Sequence, residues 1–107
     1  RTRAEYLNSM AAMLSAAGAT DLAMGRLLAH YRARVVRALH SPSVDETVVL
    51  ALAEALPRGM GGELKAALAR GEELARADRP PVQQVLAWAR RTTELLGRME
   101  RAGHDSL

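Results

Sequence analysis

Apolar residues recur along this chain at intervals of three and four, and glycine or proline punctuates the runs. That is the period of an amphipathic α-helix, and five such runs are legible. The first covers 4–17, with Tyr6, Leu7, Met10, Met13, Leu14 and Ala17 on one face and Gly18 as its stop. The second covers 22–39 and organises the rest. Its Met24, Leu27, Leu28, Tyr31, Val35, Ala38 and Leu39 fall within an arc of about 120°. Thr20 or Asp21 can cap it. The connection between these two runs is short, which predicts an antiparallel hairpin.

Pro42 ends the second run near His40. Ser43-Val44-Asp45-Glu46 then matches a capping box with Ser43 at the cap, opening a third helix over 44–56. Val48, Leu52, Ala55 and Leu56 are expected to face inward, with Leu50 outward. Pro57 and Gly59-Met60-Gly61-Gly62 read as a flexible turn with Met60 tucked onto the core. No strand leads into that turn and no Gly-Lys-Ser/Thr follows it, so it is not a phosphate-binding loop. A fourth helix is expected over 63–77, lined by Leu64, Ala67, Leu68, Gly71, Leu74 and Ala75. Gly71 on the buried side costs up to about 1 kcal/mol of helix propensity, and it permits a neighbouring helix to come close. After Asp78-Arg79-Pro80-Pro81, a fifth helix over 81–102 carries the widest apolar face, including Val85, Trp88, Thr92, Leu96 and Met99. Arg90, Glu94 and Arg98 follow at intervals of four on its solvent side, where they can pair. Residues 103–107 read as a frayed tail.

These elements predict an all-α fold: a five-helix bundle in a single domain over 1–107, closed by the fifth helix. A chain of 107 residues can bury a core without staples. There is no cysteine, which removes disulfides and thiolate metal sites. Tyr6, Tyr31 and Trp88 are the only aromatic residues, so Leu, Val, Met and Ala must build the core. The longest uncharged run, 6–20, is too short and too polar to span a bilayer.

Charge changes the picture more than composition does. The net charge is +3, yet residues 1–40 carry +4 and the remainder −1. On the second helix Arg26, His30, Arg34 and Arg37 share an arc of about 80° beside the apolar one. This basic stripe is the candidate partner-binding site. An acidic protein surface or anionic lipid headgroups fit it better than nucleic acid does. Two of its arginines, Arg34 and Arg37, sit toward the helix end, whereas a DNA-reading helix places contacts near its start. A small helical DNA-binding module remains the alternative function. No serine sits in a nucleophile elbow and the carboxylates are scattered over caps and solvent faces, so no enzyme activity and no catalytic residue is expected. His30, His40 and His104 are too dispersed to share a metal, and neither metal nor cofactor is expected. An outward Leu50, or the broad face of the fifth helix, leaves a homodimer open.

Residues 3–39 carry one resemblance. Arg3-Ala-Glu-Tyr-Leu-Asn-Ser-Met-Ala-Ala-Met-Leu, then Ala17-Gly18-Ala19, Leu22-Ala23, Leu27-Leu28 and Tyr31-Arg32, resemble the C-terminal cytoplasmic helical region of an uncharacterised bacterial membrane-protein family, the domain of unknown function 4350 family. Its members are commonly encoded beside a MoxR-type AAA ATPase. The resemblance implies a fragment of a longer membrane protein, with the start at Arg1 rather than Met in keeping, and basic residues just inside the membrane. It further implies a location on the cytoplasmic face of the cell membrane, a non-catalytic interaction or regulatory role, and association with that ATPase. It brings no catalytic residues with it.

Overall fold

A computed structural model describes residues 20–105. The expected helix over 4–17 and its hairpin with the next helix lie outside the described residues. Four α-helices and one 3-10 turn account for the rest, and the described residues contain no strand: α1 (Thr20–Ala38), α2 (Glu46–Ala53), the turn Pro57–Gly59, α3 (Met60–Arg76) and α4 (Val82–Asp105). The three long helices α1, α3 and α4 each pack on the other two, and the short α2 rests on α3. The expected all-α architecture is therefore present, with four helices in the described part.

The inner face of α1 is the one its periodicity marks. Met24, Leu27, Leu28, Tyr31 and Val35 are buried, and Ala38 and Leu39 are half-buried against the same core. Trp88 of α4 is the largest fully buried side chain and joins the three long helices. Its indole N–H donates to the Ala67 carbonyl of α3 at 2.8 Å. Its ring meets Tyr31 of α1 edge-on, with centroids 5.2 Å apart. The Tyr31 hydroxyl donates to the Ala89 carbonyl at 3.2 Å and lies 2.8 Å from the Thr93 hydroxyl, so its polar end is satisfied inside the bundle. Buried Thr92 donates to the Trp88 carbonyl one turn back. The helical glycine at position 71 has its reason here. A Cβ on Gly71 would lie 2.6 Å from Trp88 Cζ2 and 2.9 Å from Leu28 Cδ1.

α1 ends in a Schellman turn. Ser41 N–H donates to the Val36 carbonyl, and His40 N–H donates to the Arg37 carbonyl. His40 holds the left-handed position at φ 51°, where a side chain is disfavoured. His40→Gly is therefore expected to stabilise the fold by about 0.5–1 kcal/mol. In a domain of this size that raises the thermal midpoint by roughly 3–6 °C, read by circular dichroism.

α2 departs from the sequence expectation in three ways. Its cap is Asp45, whose Oδ1 accepts from Thr47 N–H at 2.8 Å, and not Ser43. The Ser43 hydroxyl is engaged by Asp45 N–H at 3.1 Å, which holds residues 43–45 in a turn and starts the helix at Glu46. The helix also stops at Ala53 instead of running to Leu56. Its inward face is rotated by one position. Val49 and Ala53 are buried and Leu50 is half-buried against the core, while Leu52 is exposed. A close approach to α3 sets this rotation, because a Cβ on Gly61 would lie 2.5 Å from the Ala53 carbonyl oxygen. Leu50, expected to face outward, is thus half-buried against the core.

Only Arg58 and Gly59, at φ 59° and 72°, make the turn expected across 59–62. Met60 is buried as expected, and Gly61 and Gly62 already belong to the first turn of α3. α4 continues through Asp105, so residues 103–105 are helical and not a frayed end. Arg98 reaches across to Glu63 of α3 through both terminal nitrogens, at 3.1 and 3.2 Å, and Glu94 of its own helix adds a further favourable charge.

Candidate interaction surface

α1 has acidic residues of other helices on both flanks. On one side Arg34 extends to Glu100 of α4 at 2.8 Å, and its side chain is only 12% exposed. On the other side Arg32 pairs with Glu72 of α3 and lies 3.8 Å from Glu46 of α2. These two arginines are therefore part of the packing scheme, cross-linking α1 to all three other described helices.

The sequence-predicted stripe divides accordingly. Arg34 is held by Glu100. Arg26 and Arg37 are exposed and have no ion pair with a described residue. They stand eleven positions apart, which is about 16 Å along the helix axis. His30 lies between them on the exposed side, its ring edge-on to Tyr31 at 5.5 Å. Its pKa is lowered below the ordinary imidazole value, first by partial desolvation and then by the positive charges of Arg34 and Arg37. His30 is thus neutral at pH 7, and the free positive charge of the row is that of Arg26 and Arg37.

A shallow cleft opens where α1 meets the start of α2. Val35, Val36, Val44, Val49 and Leu68 form its apolar walls, with Arg32 and Glu46 at the rim. Its inner space is about 30 Å³, room for a single water molecule and far below the size of a substrate pocket. Its rim brings together one guanidinium and one carboxylate, which face each other. Sequence reasoning missed this cleft, because Val44 was placed inside a helix and not on the connection. Among the described residues no group of histidine and carboxylate side chains is arranged to hold a metal ion. No helix among them is long and apolar enough to cross a membrane.

No protein-family model matches the chain, and neither a curated protein nor a solved structure does.

Proposed function

We propose that this chain is a non-catalytic interaction domain that meets an acidic protein surface through the exposed side of α1. The observation that carries this reading is the contrast along one helix. Arg32 and Arg34 are matched to carboxylates of the other helices, while Arg26 and Arg37 are left exposed on a common face. Two guanidinium groups with no ion pair to a described residue, beside a neutral imidazole, offer donors for carboxylates and steer an acidic partner toward this face. The resemblance of residues 3–39 supplies the setting: the cytoplasmic side of a membrane protein, with the neighbouring MoxR-type ATPase as a candidate partner.

The test is a pull-down with the full chain and its Arg26→Glu/Arg37→Glu variant, with circular dichroism as the check on folding. Partner capture is expected to weaken about tenfold or more. Undiminished capture of every partner overturns the reading. Duplex DNA at about 50 mM salt separates it from the nucleic-acid alternative, for which binding must be strong there and fall steeply as salt rises.

A further inference from the structure

We draw no further inference here: the strongest candidate, the apolar surface patch on the outward side of α2 where Ala51, Leu52 and Ala55 are exposed, is an unpartnered helix face, and nothing in the structure shows what covers it.

Discussion

Trp88→Ala is expected to destabilise the domain by about 3–5 kcal/mol, a large share of the roughly 5–15 kcal/mol that holds a domain of this kind together. Trp88 is fully buried, and its removal takes away the contact over Gly71, the edge contact to Tyr31 and the hydrogen bond to Ala67 at once. The cavity cannot close easily, because helix backbone and the satisfied Tyr31 hydroxyl surround it. Urea unfolding followed by circular dichroism measures the effect. Trp88→Phe keeps most of the ring area and loses the N–H donor, so its cost should be about 1–2 kcal/mol. A loss below about 1 kcal/mol in Trp88→Ala would show that the three long helices do not depend on this residue.

Gly71→Val should be the next most damaging change, at about 3 kcal/mol. The first added carbon already falls 2.6 Å from the indole and 2.9 Å from Leu28. Both neighbours are buried, so relief requires α3 to move away from α1 and α4. Gly62→Ala is the opposite case on the same helix. Its Cβ meets nothing within 4 Å, and the change should stabilise by up to about 1 kcal/mol. Opposite shifts in the urea midpoint for two glycines of one helix would separate packing from propensity. Shifts of the same sign would remove the close approach as the reason for Gly71.

The parts of this fold legible in the sequence are those set by helical period alone. The buried face of α1 is one example, and the lining of α3 from Leu64 to Leu74 is another. Gly71 was legible as a place of close approach, although its neighbours Trp88 and Leu28 were not. Where a choice depended on competing local hydrogen bonds, pattern was insufficient. Ser43 and Asp45 are both good caps, and the structure uses Ser43 to hold the turn before Asp45. The inward face of α2 was misplaced because eight residues carry little periodic signal, and the approach of Gly61 to Ala53 decides its rotation. In the candidate site, the spacing of Arg26, His30, Arg34 and Arg37 was legible. The fate of Arg34 was not, because its partner Glu100 lies 66 residues further on.

The Trp88–Ala67 hydrogen bond has a consequence for the order of folding. It closes a loop of 21 residues, whereas the Tyr31 bond to Ala89 spans 58. Closing the shorter loop costs less chain entropy by roughly 0.9 kcal/mol. Both bonds converge on the same few turns of α4, so α3 and α4 can zip together first and present a finished surface around the indole. α1 then docks onto that surface as a late step. Substitutions on α1 that weaken this docking should act mainly by speeding unfolding, and those between α3 and α4 mainly by slowing folding.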